Sequence, residues 1–192
     1  SEVKPIEIVA SYATFANKGI YSSPIAITRI EDKYGQIIKE FSNTQKEVLS
    51  PETAFMVTNL LQTVVDKGTG GSLRWKYKFR HPAGGKTGTT QNLSDAWFVG
   101  FTPHITAGVW YGIDEYSTSL GDGQYGGVAA LPAWALFMKK AHQELNIPKD
   151  KFEMPNGVVE VEIDSDTKKL PTSRTKKTEL EVFLKSNQPT AN

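Results

Sequence analysis

The residues from Gly84 to Thr90 read Gly-Gly-Lys-Thr-Gly-Thr-Thr and place a cation, several hydroxyls and three glycines in one short stretch. Glycine lets another backbone approach closely, and an edge strand offers unpaired N–H and C=O groups to which a second strand can add. Lys86 contributes a compact positive charge. Because a peptide C-terminus presents both a backbone and a carboxylate, these residue types predict a site that recognises the end of a peptide chain.

A nucleotide-binding loop is the first alternative for this stretch, since it contains Gly-Lys-Thr. The phosphate-binding motif requires a glycine five residues before Gly85, where this chain has Arg80. The motif must also open a helix, whereas this stretch leads into Trp97-Phe98-Val99, which is typical of a β-strand. A nucleotide site is therefore not predicted. The triplet Lys-Thr-Gly alone leaves a second alternative open, a glycine-rich hairpin strand with a solvated lysine.

Composition excludes several other classes of site. The 192 residues carry a formal net charge of +1, so no general case exists for binding to nucleic acid or to a membrane surface. Cysteine is absent, which excludes disulfides, thiolate zinc sites and cysteine nucleophiles. The histidines at 81, 104 and 142 are too dispersed in sequence to suggest a metal cluster. We expect no metal and no cofactor, and the absence of a long apolar run predicts no membrane span.

Hydrophobic periodicity and turn signals predict three consecutive antiparallel strands with helices before and after them. Ser50 and Pro51 form a strong helix start, and a turn with Gly35 predicts a hairpin that includes Ile25 and Ile27. The predicted strands cover 84–90, 96–102 and 105–113, and the predicted helices begin near Pro5, Pro51 and Leu131. The apolar residues of the second helix, from Phe55 to Val65, are expected to pack in the core.

Some conspicuous residues near the Lys-Thr-Gly triplet have ordinary structural interpretations. Trp97 and Trp110 lie on predicted strands and are expected in the core, and Asp95 is expected to cap a turn or to pair with a base. His104 follows Pro103 in a turn, which predicts a surface position. The glycine-rich stretch 121–127 is expected to be a flexible surface loop.

The composition changes after Pro148. Residues 149–192 are rich in Lys, Glu and Asp and contain two short alternating runs, 158–163 and 179–184. These runs predict two strands of a charged C-terminal appendage that is partly disordered at its end. Asp164 and Asp166 lack the glycine and glutamate of a calcium loop, so no chemistry is predicted in this appendage. The sequence thus divides into a domain over 1–148 and an appendage over 149–192.

Several motifs, in one order, resemble a known family. Gly84–Thr90, Asp95–Pro103 and Val109–Asp114 are similar to the transpeptidase domain of class A, bifunctional penicillin-binding proteins. The stretch from Ser11 to Gly19 resembles a helix of the same domain, and Ala130–Lys140 resembles its closing helix. The resemblance implies an α/β fold of the α+β type, an antiparallel sheet flanked by helices as in serine β-lactamases. Since the similarity starts part-way through that domain, we expect an incomplete C-terminal half.

The family uses the motifs Ser-x-x-Lys, Ser-x-Asn and Lys-Thr-Gly, and only the last occurs here in its context. Ser-x-x-Lys occurs at Ser1, Ser165 and Ser173, but none of these positions fits the family order, and Ser-x-Asn does not occur. We therefore expect the nucleophilic serine, and beyond it a membrane anchor and a glycosyltransferase domain, upstream of this chain. The chain alone is expected to be inactive and to need the upstream half to fold well.

The resemblance implies a D,D-transpeptidase that cross-links peptidoglycan stem peptides ending in D-Ala-D-Ala through an acyl-serine, and that β-lactams acylate. Lys86 would attract the terminal carboxylate and set the electrostatics of proton transfer. The hydroxyls of Thr87 and Thr89 would bind that carboxylate, and the N–H of Thr89 would form half of the oxyanion hole. Gly88 would keep the strand unobstructed. Gly85 and Thr90 complete the substrate-binding set expected from the motif.

The resemblance also implies partners and a location. The expected partners are the stem peptide, β-lactam antibiotics and the upstream half of the same domain, with no nucleic acid and with membrane contact only through an upstream anchor. The domain would lie on the extracytoplasmic face of a bacterial cell membrane. Related alternatives are a D,D-carboxypeptidase or a serine β-lactamase, and a non-catalytic β-lactam sensor is an alternative of a different class.

Overall fold

The computed structural model describes residues 3–115 and 117–190, so that Ser1 and the chain end lie outside the described residues. The helices are α1 (Pro5–Ala16), α2 (Pro51–Asp66), α3 (Ser72–Trp75), α4 (Gly126–Ala129) and α5 (Leu131–Glu144). The strands are β1 (Ile20–Ser22), β2 (Arg29–Glu31), β3 (Ile37–Glu40), β4 (Gln45–Glu47), β5 (Gly84–Thr89), β6 (Asp95–Phe101), β7 (Thr106–Gly112), β8 (Val158–Asp164) and β9 (Thr178–Leu184). None of the described helices is long and apolar enough to cross a membrane.

The central sheet forms where the sequence changes from glycine-rich to aromatic and β-branched residues, which suit a pleated surface. Its order is β5-β6-β7, with both pairs antiparallel. In register, Lys86 lies opposite Val99, and Val99 lies opposite Gly108. The three predicted strands are confirmed, with ends that differ by at most one residue from the prediction.

One face of the sheet carries the hydrophobic core. Phe98 of β6 and Trp134 of α5 are fully buried and meet edge to face, with ring centroids 5.1 Å apart. The Trp134 indole N–H donates to the carbonyl of Ala107 at 3.0 Å, which satisfies its one polar group and fixes α5 against β7. Val65 of α2 and Leu73 of α3 complete this cluster. Three helices, α2, α3 and α5, therefore pack on the same face of β6.

The opposite face packs against α1. A Cβ at Gly108 would lie 2.7 Å from Cγ2 of Val9, so the absence of a side chain lets α1 approach β7 closely. Tyr12 meets Phe101 with ring centroids 6.4 Å apart. The sheet therefore has helices on both faces, as the α+β prediction required.

Helix α2 begins as predicted. Ser50 is its N-cap, and the Ser50 hydroxyl accepts a hydrogen bond from the N–H of Thr53 at 3.2 Å, while Pro51 occupies the first turn. Val65 is buried, but Leu60 is 64% exposed, so the prediction that all the apolar residues of this helix are in the core is wrong for Leu60. This helix packs against β5 more extensively than the other helices do.

The hairpin of β2 and β3 also forms, with a narrower extent than predicted. The carboxylate of Asp32 accepts from the N–H groups of Tyr34 and Gln36, and Gly35 adopts φ +82°, which favours glycine. Ile25 and Ile27 precede β2 and do not belong to the hairpin strands. The stretch 69–83 contains the short helix α3, whose N-cap residue is Gly71.

The C-terminal appendage forms an antiparallel pair of β8 and β9, which confirms its two predicted strands. It packs against α2 through β9. Its expected disorder at the last residues falls on positions outside the described ones.

The three histidines converge although they are dispersed in sequence. The rings of His81 and His142 lie 4.3 Å apart, and His142 is 3% exposed. The Nδ1–H of His142 donates to the carbonyl of Met138 at 2.8 Å, so Nε2 accepts from the hydroxyl of Thr102 at 3.0 Å. His104 has the predicted surface position and pairs with Asp150. Within the described residues no cluster of His, Cys, Asp or Glu could hold a metal.

These contacts predict a loss of stability in mild acid. Burial lowers the pKa of His142 below its ordinary value of about 6.5. The pKa of His81 is also lowered, mainly by burial and secondly by the charge of the neighbouring His142. The unfolded chain therefore takes up protons first as the pH falls, so the stability present above about pH 6.5 is lost below it. The midpoint temperature of thermal unfolding is therefore expected to be lower at about pH 5.5 than at about pH 7.5.

The difference in midpoint temperature between the two pH values is expected to shrink in His142→Gln, because its amide can replace both hydrogen bonds without titrating. It should remain in His104→Gln, because that ring is exposed. An unchanged difference in His142→Gln would assign the acid sensitivity to other groups.

Candidate active-site strand

The main-chain groups of β5 alternate between its partner β6 and an open edge. The N–H of Thr90 donates to the carbonyl of Asp95 at 3.1 Å, and in an antiparallel pair the hydrogen-bonded positions recur at every second residue. Gly88 and Lys86 therefore direct their main-chain groups toward β6, while Thr87 and Thr89 direct theirs outward. Among the described residues no strand pairs with that outer edge. The edge can accept an added strand.

Lys86 lies at this edge with an exposed side chain. Its ammonium donates to the carbonyl of Thr87 at 2.7 Å, and within the described residues no carboxylate lies within 4.0 Å of it. A carbonyl is a weaker partner than a carboxylate, because only the latter carries a full charge. The positive charge of Lys86 is thus available to an anionic ligand.

Thr87 is held by a residue that the motif did not indicate. Its hydroxyl lies 2.9 Å from the hydroxyl of Thr69, which follows α2. No local pattern could have identified Thr69, since it lies 18 residues from Thr87 and the pair is created by the packing of α2 against β5. Thr69 sets the direction in which the Thr87 hydroxyl points.

Thr89 is held from the other side by α4. Its hydroxyl oxygen accepts from the N–H of Gly126 at 3.1 Å. A Cβ at Gly126 would lie 2.3 Å from the carbonyl oxygen of Trp97 and 2.6 Å from that of Gly88, so only glycine allows this approach. The prediction of a flexible surface loop over 121–127 is therefore wrong at its end, where Gly126 is buried on the strand.

The remaining residues of the predicted set have structural contacts of their own. A Cβ at Gly85 would lie 2.7 Å from Cζ of Phe98, so this glycine makes room for the core. A Cβ at Gly88 would lie 3.2 Å from Cβ of Trp97, beside the strand. The Thr90 hydroxyl accepts from the N–H of Asp95 at 2.9 Å and so holds the turn between β5 and β6.

A groove of about 510 Å³ adjoins the same strand on the face toward α1. Lys86 and Gly88 line it from β5, Thr90 lines it from the turn that follows, and Trp97 and Trp110 line it from the next two strands. The core prediction is wrong for Trp110, which is 44% exposed, and Trp97 is only half-buried.

Asp95 also lines this groove and organises one end of it. Its carboxylate accepts from the indole N–H of Trp110 at 2.8 Å and from the hydroxyl of Ser94 at 2.9 Å. Asp95 therefore acts at the turn, as the first of its two predicted roles required. The second predicted role, an ion pair with a basic residue, is not found, since the ion pairs of the described residues do not include Asp95.

Comparison with known proteins shows the family to which the chain belongs. Residues 1–139 match the family described as the penicillin binding protein transpeptidase domain. The chain belongs to the penicillin-binding transpeptidase family. Residues 154–192 match a second family, the C-terminal domain of penicillin-binding protein 1A. The resemblance to class A penicillin-binding proteins is thereby confirmed.

Individual relatives agree with this assignment. Penicillin-binding protein 1A of Clostridium tetani is 34% identical over 98% of this chain and 24% of its own length. The same protein of Aquifex aeolicus is 36% identical over 98% of this chain and 25% of its own length. The crystal structure of penicillin-binding protein 1A from Haemophilus influenzae superposes with a TM-score of 0.89 at 26% identity, over 98% of this chain and 33% of that one. The predicted fold class is confirmed, and the chain spans about a quarter of the length of these curated relatives.

The contact between Thr69 and Thr87 predicts a measurable effect on penicillin binding. Thr69→Val removes one hydrogen bond, worth about 1 kcal/mol, and frees the Thr87 hydroxyl to rotate. In the full-length protein we expect the rate of labelling by a fluorescent penicillin to fall about fivefold. Thr69→Ser should restore it, because the hydroxyl remains.

Thr63→Val is the matched control, since among the described residues the Thr63 hydroxyl bonds only to the carbonyl of Asn59 within α2. A rate in Thr69→Val equal to that of the control would show that this hydroxyl does not position Thr87.

Proposed function

We propose that this chain forms the substrate-carboxylate and oxyanion side of a D,D-transpeptidase site that cross-links peptidoglycan stem peptides. One observation carries the proposal: the unpaired charge of Lys86 adjoins an open strand edge with two outward-facing threonines. A stem peptide ending in D-Ala-D-Ala would add antiparallel to that edge, with its terminal carboxylate at Lys86. Strand addition would provide the register, and the charge would select the peptide end.

The two threonines suit the carboxylate because of how they are held. The Thr89 hydroxyl oxygen accepts from Gly126, so its own proton is free to donate to the ligand. The Thr87 hydroxyl shares one hydrogen bond with Thr69 and retains capacity for a second. Both hydroxyls are ordered before the ligand arrives, which reduces the entropy lost on binding.

The outward N–H of Thr89 is the proposed half of the oxyanion hole. A donor of this kind stabilises the negative charge that develops on the attacked carbonyl oxygen, and its removal in other enzymes costs about 3 kcal/mol. The second donor would be the main-chain N–H of the nucleophilic serine.

The reaction proceeds by two acyl transfers in this proposal. A serine upstream of this chain attacks the carbonyl carbon between the two D-alanines, an ester bond forms, and the terminal D-Ala leaves with a proton on its nitrogen. An amine of a neighbouring stem then attacks the ester, an amide forms, and the serine regains its proton. Lys86 would favour both proton transfers electrostatically. β-Lactams would acylate the same serine.

The two family matches support the proposed organisation of the whole protein. The proposed boundary after residue 148 falls between the two family matches, 1–139 and 154–192. The nucleophile, the glycosyltransferase domain and the membrane anchor would lie in the part of the relatives' length that this chain does not span. The site would face the extracytoplasmic side of the membrane, and this chain alone would be inactive.

Labelling with fluorescent penicillin, followed by peptide mapping, tests the division of roles. We expect a label on a serine of the upstream segment in the full-length protein, and none on the isolated chain. A stable adduct at Ser1 or Ser173 would overturn the proposal. Absence of a label from both would also overturn it.

Product analysis distinguishes the transpeptidase from its alternatives. Incubation with a pentapeptide substrate and an amine acceptor should give cross-linked product with release of D-Ala. Release of D-Ala without cross-links would indicate a carboxypeptidase. Rapid hydrolysis of the penicillin would indicate a β-lactamase, and a stable label without turnover would indicate a sensor.

The role of Lys86 gives a quantitative prediction. Lys86→Gln keeps the length of the side chain but removes its charge, so acylation by penicillin in the full-length protein should slow about 100-fold or more. Lys139→Gln removes an exposed charge from α5 and should leave the rate unchanged. Equal rates in the two variants would show that the charge of Lys86 does not contribute.

A further inference from the structure

The loop between β8 and β9, residues 165–177, concentrates positive charge; we call it the basic loop. It has one acidic residue, Asp166, and five basic ones, Lys168, Lys169, Arg174, Lys176 and Lys177. The other residues of the chain include 17 basic and 20 acidic ones. Positive charge is thus segregated into this loop of an almost neutral chain.

Asp164 holds the basic loop in a defined shape. Its carboxylate accepts from the N–H groups of Asp166 and Thr167 at 2.9 and 3.0 Å, and from the hydroxyl of Thr175 at 2.6 Å. The Thr175 hydroxyl and then these two amides hold the pKa of Asp164 below its usual value. The buried carboxylate therefore binds the loop backbone and Thr175. Among the described residues it forms no ion pair with the basic side chains.

Most of these basic side chains have no ionic partner. Lys168 pairs with Glu179, but the ion pairs of the described residues include none of the other four. All four are exposed, although Glu160 and Glu162 are on the same hairpin and could have been placed opposite them. Holding like charges together opposes folding, so an external anion would relieve a repulsion present in the free protein.

We propose that the basic loop binds the carboxylate-bearing peptidoglycan strand, at a point separate from β5. This inference rests on the proposed function for the identity of the polymer. Stem peptides carry carboxylates in series along a glycan, and the guanidinium of Arg174 can bind a carboxylate through two parallel hydrogen bonds. The loop adds the exposed hydroxyls of Thr172 and Ser173.

A thread-like polymer fits the basic loop better than a flat anionic membrane. The loop exposes no aromatic side chain, and its one large aliphatic residue, Leu170, is half-buried, so it has nothing to insert between lipids. Glu160 and Glu162 are exposed on β8, and their negative charges would repel an extended anionic surface. A single polymer chain can bind the basic loop without contacting them. A second contact of this kind would keep a polymeric substrate near β5 by raising its effective concentration.

Cosedimentation of the full-length protein with insoluble peptidoglycan tests the proposal. The protein is first acylated with penicillin, so that binding does not depend on the catalytic groove. The test variant carries Lys169→Gln, Arg174→Gln, Lys176→Gln and Lys177→Gln. The control variant carries Lys33→Gln, Lys39→Gln, Lys139→Gln and Lys140→Gln, which remove the same charge from exposed positions elsewhere.

We expect the test variant to bind peptidoglycan about tenfold more weakly than the control variant. The difference should disappear at high salt, or when the peptidoglycan carboxylates are amidated. Both variants should unfold at the same temperature and label with penicillin equally, because these residues lie outside the β5 site. If the protein fails to label at all, the proposed function fails, while the binding comparison can be repeated without penicillin.

Three results would overturn the inference. The first is equal binding by the two variants. The second is a difference that persists with amidated peptidoglycan, which would exclude carboxylate recognition. The third is a difference seen only with vesicles containing an anionic phospholipid, which would assign the basic loop to a membrane.

Discussion

The alternation of hydrogen bonds along β5 is the constraint on which the site depends. Because Lys86 and Gly88 bond to β6, Thr87 and Thr89 direct their main-chain groups to the open edge. A slip of one residue would exchange these roles and turn every side chain to the opposite face. The turn between the strands prevents that slip, since Thr90 and Asp95 are joined both by a main-chain bond and through the Thr90 hydroxyl. The turn therefore determines which residues of β5 present their main-chain N–H and C=O groups at the open edge.

The second requirement is that the strand be supported without being covered. Glycine meets it at two places, because Gly85 leaves room for Phe98 behind β5, and Gly126 lets α4 rest directly on the peptide groups of Gly88 and Trp97. Phe98 in turn packs on Trp134, which α5 fixes to β7. The strand is thus supported from the core side, while no strand of the described residues pairs with its outer edge. Rigidity behind the strand gives the threonine hydroxyls defined positions.

Local sequence predicted the features that depend on neighbouring residues. The strands could be predicted from aromatic and β-branched runs, the start of α2 from Ser50 and Pro51, and the position of Lys86 on β5 from the glycine-rich stretch around it. Features created by distant segments could not be predicted. Thr69, Gly126 and the contact of His81 with His142 join residues that lie 18 to 61 positions apart. The exposure of Trp110 was missed for a related reason, because a strand pattern gives its alternation but not which face is covered.

An open edge strand is also a hazard, since it can pair with another chain. Lysine at an edge reduces that hazard, and Lys86 does so directly by donating to the outward carbonyl of Thr87. In the proposed site, an N–H of the added peptide would share this carbonyl or displace the ammonium from it, since a carbonyl oxygen can accept two hydrogen bonds. The ammonium would then bind the terminal carboxylate of the same peptide, which is a stronger partner than the carbonyl. A ligand without a terminal anion would offer no such partner, so in this proposal the group that protects the edge also selects which peptide pairs with it.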